Sequence, residues 1–311
     1  MTHFPEKKST ISAKDIATLR QRIDQLSQSQ ALYQNIAILG CGYIGMALAA
    51  CWDEYGHCVT ATTTGQERLS LLSQLATKAL VVKGDDLEKV RSLVKDQACI
   101  LVSVAPKRQR AYDEDFYEKT YLETANNLAD ALNQAPSVKQ VIFLSSCSIY
   151  GDRQGEWVDE TSPIIPSNRR IDVLAQAENQ ILQTSNNERN VCILRLGGIY
   201  GPGRELVKIY GGLAGKTIPG KGDRIINWIH RDDVLAAIEF ARRQRLQGIY
   251  NLADDSQLSV RRQLELICSS HGLPAVNWDP SQENQARVSL RVSHQKIKKA
   301  GYEFIHPQIL A

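Results

Sequence analysis

Residues 35–50 read NIAILGCGYIGMALAA. The apolar run Ile36, Ala37, Ile38, Leu39 enters Gly40, Gly42 and Gly45, and apolar residues then continue at helical spacing. Strand, glycine turn and helix follow one another within sixteen residues. In Gly-x-Gly-x-x-Gly between a buried strand and a helix, each glycine has its own task. Gly40 makes the turn, Gly42 lets backbone approach a pyrophosphate, and Gly45 lets helix pack closely on strand. The free N–H groups and positive end of the helix dipole then face phosphate, so Gly40, Cys41, Gly42, Tyr43, Ile44 and Gly45 are expected to hold a dinucleotide.

A chain of 311 residues with 43% hydrophobic and 23% charged residues is an ordinary globular protein, and disorder and fibrous folds are excluded. A formal charge of +3 argues against nucleic acid or membrane as partner. The chain has no apolar run long enough to cross a membrane and no signal peptide, so a soluble, cytoplasmic protein is expected. The seven cysteines are scattered without Cys-x-x-Cys or Cys/His ligand spacing. They read as reduced, buried thiols, and no metal is expected.

Ahead of the first strand, Ser12–Asp15 makes a capping box, and Ile16, Leu19, Ile23 and Leu26 form one apolar stripe. Residues 1–34 therefore read as an added helix, lying on its own domain or at a dimer contact. After the first βα unit, His57–Thr62 reads as a second strand. Its end is where an Asp or Glu would bind the ribose hydroxyls of NAD. The chain instead places Thr62, Thr63, Thr64 and then Arg68 there. Hydroxyls with an arginine suit a 2′-phosphate, so NADP is expected, with NAD as second choice.

Further strands are expected at Ala79–Val82, Ala98–Val104 and Val138–Leu144, with a long helix at about 113–134. Such alternation implies a doubly wound parallel α/β sheet of Rossmann type, with ligands beyond the carboxyl ends of its strands. Val104 and Ala105 fall at that edge.

At 145–151, SSCSIYG, the chain resembles the extended short-chain dehydrogenase/reductase superfamily, the NAD(P)-dependent epimerase/dehydratase group. Further likenesses follow in order: GDDL (84–87), CILRLGGIYGPGR (192–204), INWIHRDDV (226–234) and GIYNLADD (248–255). The resemblance implies an adenine contact around Asp85, Asp86 and Leu87. It also implies a catalytic Ser, here Ser146, with a Tyr and a Lys on one helix as Tyr-x-x-x-Lys. That pair works as a general acid/base beside the nicotinamide.

The segment IPSNRRIDVLAQAENQIL (165–182), aligned on Glu178, places Arg170 at the Tyr position and Leu174 at the Lys position. Leucine carries no charge and arginine stays protonated, so neither can replace its counterpart. The family's Asn on the preceding helix is also missing, Thr120 being the nearest match. The chain thus resembles the atypical subgroup that keeps the nucleotide-binding half and lacks Tyr-x-x-x-Lys.

Ser146, Ser148 and Tyr150 remain as candidate catalytic groups, with Tyr200 as a further candidate acid. Arg170, Arg204, Arg224 and His230 are candidate contacts to an anionic substrate. The family reading of His230 is a packing residue that places Asp232 or Asp233 at a helix start. Domain limits are expected at 35–203 for the nucleotide-binding part, with pieces of 226–255 returning to it, and at 204–311 for a smaller substrate-binding part whose last helix is capped by Ser293. The expected function is NADP(H)-dependent oxidoreduction or epimerisation of a small carbonyl, hydroxyl or sugar-type substrate, by a monomer or homodimer. The alternative is a non-catalytic redox sensor.

Overall fold

The computed structural model describes residues 34–106, 113–282 and 288–309. The helix expected before the first strand lies outside these residues. The strands are β1 (Asn35–Leu39), β2 (Cys58–Thr63), β3 (Lys78–Val81), β4 (Cys99–Val102), β5 (Gln140–Ser146), β6 (Trp157–Val158), β7 (Asn190–Leu196), β8 (Gly198–Tyr200), β9 (Thr217–Pro219), β10 (Trp228–His230), β11 (Gly248–Leu252), β12 (Asn277–Asp279) and β13 (Arg291–Val292). Seven of them form one sheet in the order β11-β7-β5-β4-β1-β2-β3, parallel throughout. The order reverses between β1 and β4, which is the topological switch point where such sheets open a crevice. Three two-stranded sheets pair β10 with β8, β12 with β9 and β13 with β6.

The helices are α1 (Tyr43–Glu54), α2 (Leu69–Leu72), α3 (Leu87–Val94), α4 (Glu114–Glu118), α5 (Thr124–Leu132), α6 (Arg169–Leu182), α7 (Leu206–Tyr210), α8 (Arg231–Arg243), α9 (Val260–Ser270) and α10 (Gln295–Lys299). Strand β1 shows how the layers arise. Ile36 and Ile38 point to one face and share a buried cluster with Leu48 and Trp52 of α1 and Ile238 of α8. Ala37 and Leu39 point to the other and share a second cluster with Val90 of α3, Leu128 of α5 and Leu174 of α6. Period-two alternation on a strand covered on both faces makes every one of these positions apolar. Trp52 also donates to the buried Glu239 at 2.8 Å, which ties α1 to α8.

Local differences from the sequence reading have physical causes. The expected helix at 113–134 is broken into α4 and α5 by a π turn at Lys119–Glu123, a wide turn that often marks a working site. α10 starts with His294 at its cap position rather than Ser293, whose hydroxyl lies 3.5 Å from the Gln295 N–H. No helix among the described residues is long and apolar enough to cross a membrane.

Candidate functional site

A cleft of about 1010 Å³ opens at the carboxyl edge of the sheet, over the switch point. The turn after β1 forms its floor. Gly40 adopts φ +94°, and a Cβ there would lie 2.9 Å from the Ser103 carbonyl oxygen, so the loops after β1 and β4 meet at a distance only glycine permits. A Cβ on Gly45 would lie 2.7 Å from the Gly40 carbonyl oxygen, which seats α1 on the turn. Gly45 therefore works behind the cleft and is not part of its lining. Gly42 differs: it lines the cleft, and a Cβ there would meet no protein atom within 4 Å. Its open side is the room a pyrophosphate requires.

Gly40, Cys41, Gly42, Tyr43 and Ile44 line this floor, with Thr63, Thr64 and Arg68 on the β2 side and Asp85, Val104 and Ala105 beyond them. Arg68 donates through Nη2 to the Cys41 carbonyl at 2.8 Å, which swings its guanidinium over the turn. Burial pushes the Cys41 thiol up to about 12, so it is inert at neutral pH.

Several residues singled out from the sequence stand elsewhere. Thr62 is fully buried; its hydroxyl donates to the Ile38 carbonyl at 3.0 Å and accepts the Gly40 N–H at 2.9 Å, so it supports the turn from behind. Asp86 caps α3, accepting the Lys89 N–H at 3.2 Å, and neither it nor Leu87 reaches the cleft. Tyr150 is fully buried, its hydroxyl bonded to Asn251 at 2.8 Å and to Arg195 at 2.9 Å. Burial pushes its phenol up to about 12 despite Arg195, and it lies outside the cleft lining. Tyr200 is buried with its ring against Trp228 and His230. Ser148 donates its N–H to the Ser146 hydroxyl at 3.2 Å and lies outside the cleft lining.

Of the four residues expected to meet substrate, only Arg204 lines the cleft, its guanidinium stacked 4.2 Å over the Tyr43 ring. Arg170 belongs to the first turn of α6, where its charge acts on Tyr117. Arg224 extends toward the Val288 carbonyl. His230 is buried at the start of α8, accepts the Asp232 N–H at 3.2 Å, and is held neutral by burial, its pKa lowered to about 4.

The cleft also contains groups that the sequence reading passed over. Ser145 lines it at the end of β5, and its hydroxyl, though buried, has no hydrogen-bond partner among the described residues. A buried hydroxyl is normally bonded, and this one lies at the cleft wall, where it can serve a bound molecule. Lys119 and Tyr121 come from the π turn, together with Thr120, the nearest match to the family's Asn. Thr120 returns its hydroxyl to the Phe116 carbonyl at 2.7 Å, whereas no partner for the Tyr121 hydroxyl is found among the described residues. Leu174 is buried in the core on which Tyr121 packs. Glu178, one turn later, makes an ion pair with Arg195 at 2.6 Å, which fixes the register of α6 and leaves no base at the position of the missing Lys.

The sequence profile of the NAD dependent epimerase/dehydratase family matches residues 36–253. The chain belongs to this family. It is 33% identical over 228 residues to the protein YeeZ of Escherichia coli K12, an alignment covering 70% of this chain and 77% of YeeZ. The fold is similar to that of a UDP-N-acetylglucosamine 4-epimerase from Methanobrevibacter ruminantium M1, solved in complex with UDP-N-acetylmuramic acid (TM-score 0.75, 16% identity, 88% of this chain and 94% of that one). It is similar also to the human epimerase family protein SDR39U1, solved with NADPH (TM-score 0.71, 17% identity, 88% and 96%).

Proposed function

We propose that this member of the epimerase/dehydratase family is an NADP(H)-dependent oxidoreductase acting on a small, anionic carbonyl, hydroxyl or sugar-type substrate. The observation that carries the reading is the cleft over Gly42, lined on its β2 side by Thr63, Thr64 and Arg68 and by no carboxylate. Gly42 and its neighbours would hold the pyrophosphate through backbone N–H groups, and Arg68 would take the 2′-phosphate. When bound, the dinucleotide supplies a hydride donor or acceptor. In this reading the Ser145 and Ser146 hydroxyls orient the substrate oxygen, Arg204 attracts its negative charge, and Tyr121 gives up or takes the proton. Burial raises the Tyr121 phenol pKa above the ordinary tyrosine value, so the hydroxyl keeps its proton at neutral pH.

Titration of the purified protein with NADPH and NADH tests the cofactor assignment. Arg68→Ala should weaken NADPH binding at least tenfold more than NADH binding, and equal loss would sink the preference for NADP. Turnover is tested with NADPH against a panel of carbonyl compounds and nucleotide sugars. Leu174 in the core supports a second reading, a redox-sensing protein that binds the dinucleotide without reaction. Tight binding with no oxidation across the panel would favour that reading.

A further inference from the structure

Outside the cleft, the described residues bring together one cluster of metal-ligating side chains, His230, Asp232 and His306. Two of its members come from the junction of β10 and α8. His230 ends the strand and caps the helix, and Asp232 lies in the first helical turn. The third, His306, arrives from a segment far along the chain. Its placement follows from Asp233: the buried Asp233 carboxylate accepts the Ile305 N–H at 2.6 Å and the His306 N–H at 2.9 Å, and it also meets the Tyr302 hydroxyl at 3.0 Å. These bonds hold the returning segment against the start of α8.

We propose that His230, Asp232 and His306 form a binding site for a divalent transition metal, zinc being the best match. Asp232 Oδ2 lies 3.6 Å from His230 Nδ1 and 3.6 Å from His306 Nε2, and all three ligand atoms fall within 4.8 Å of one another. Tetrahedral zinc with ligands about 2.0–2.1 Å away has ligand–ligand edges of about 3.3–3.4 Å. Two edges are therefore near their final length, and the His230–His306 edge closes by rotation of the partly exposed His306 ring. Two imidazoles and a carboxylate suit zinc, and they disfavour magnesium or calcium, which take oxygen ligands.

The surroundings favour this use. Asp232 divides its oxygens: Oδ1 faces the Arg231 guanidinium at 3.4 Å, while Oδ2 faces the histidines. A neighbour that orients a ligating carboxylate is the usual companion of a metal site. Zinc would replace the Asp232 N–H as partner of His230 Nδ1 and would pin the segment at 305–306 to α8. Arg231, next to the site in sequence, has its guanidinium 5.6 Å from the ring of Tyr43, which lines the cleft.

The test uses the full chain, freed of metal by chelation, then titrated with Zn²⁺ or Co²⁺ alone. Expected are one equivalent of bound metal, a rise in Tm with Zn²⁺, and visible absorption typical of tetrahedral Co²⁺ without a thiolate band. His306→Ala and, independently, Asp232→Asn should each fold and lose at least tenfold in metal affinity together with the Tm rise. The proposal is overturned by absence of stoichiometric binding, by a thiolate charge-transfer band assigning the ion to cysteine, or by unchanged binding in both variants.

Discussion

The Thr62 hydroxyl stands between the Ile38 carbonyl and the Gly40 N–H, 3.0 Å from one and 2.9 Å from the other. It therefore fixes the entrance to the glycine turn without facing the cleft. Replacing Thr62 with Val keeps the shape and leaves a buried N–H without a partner, a loss of about 1–3 kcal/mol. Urea unfolding of Thr62→Val should show that loss, and NADPH and NADH binding should fall by equal factors. A selective loss of NADPH would mean that the hydroxyl contacts the ligand.

The three glycines of the turn should separate in the same two measurements. Gly40 has φ +94° and Ser103 O only 2.9 Å from a Cβ site, so Gly40→Ala is expected to cost about 2 kcal/mol or more of stability. Gly42 has φ −86° and open space beside it. Gly42→Ala should change stability by less than about 1 kcal/mol and still reduce dinucleotide binding at least tenfold. Retention of binding by Gly42→Ala would remove the observation on which the proposed function rests.

The sheet was legible because β1, β2, β4, β5 and β7 are buried and strongly patterned, and the glycine turn announces the switch point. Side-chain direction was less legible. Tyr150 and Asp86 sit beside the right motifs, yet Tyr150 is turned into the core by Arg195 and Asn251, and Asp86 is turned onto a helix end by the Lys89 N–H. Ser145 and Ser146 alternate across a strand end, and only the fold shows which hydroxyl lacks a partner. The π turn that brings Tyr121 to the cleft has no signature in residue periodicity. His306 and Asp232 are joined by backbone bonds to Asp233, a relation that no short-range spacing reveals.

Glu178 and Arg195 are each 3% exposed and share a short bidentate contact. Removing one partner leaves an uncompensated buried charge, so Glu178→Leu is expected to cost about 3–5 kcal/mol. The double substitution Glu178→Leu with Arg195→Met should recover most of that loss. Calorimetry of the two single variants and the double variant measures the coupling; additive losses would show that the pair acts through separate neighbours.

If Tyr121 is the proton donor, Tyr121→Phe should leave NADPH affinity within about twofold and reduce kcat by about 10²–10⁴, the usual range for one general acid. Because the aromatic ring is retained, packing against the core should survive, and Tm should stay within a few degrees. Unchanged turnover in Tyr121→Phe would transfer the role to another group, whereas lost NADPH binding would point to a contact with the dinucleotide instead.

Asp254 predicts a pH dependence of stability with a definite sign. It is 2% exposed at the end of β11. Its Oδ1 accepts the Ser256 N–H at 2.9 Å, and Oδ2 has no partner among the described residues. Burial, aided by the negative charges of Asp255 and Asp233, raises its pKa from 3.8 to about 7. The native state therefore holds this proton more tightly than the unfolded chain. The associated stabilisation is complete below about pH 4, falls away as pH rises toward 7, and is absent above that. At pH 8 the buried carboxylate should cost on the order of 4 kcal/mol relative to its neutral form. Asp254→Asn carries a neutral side chain of the same shape at every pH. Its stability should match that of the native chain near pH 4 and exceed it by several kcal/mol at pH 8, as read from urea unfolding across that range. The buried histidines His57 and His230, both lowered to about 4, act in the opposite direction below pH 6.5. They are common to both proteins, so the difference between the two curves isolates Asp254. A constant difference across the range would show that Asp254 remains ionised in the fold.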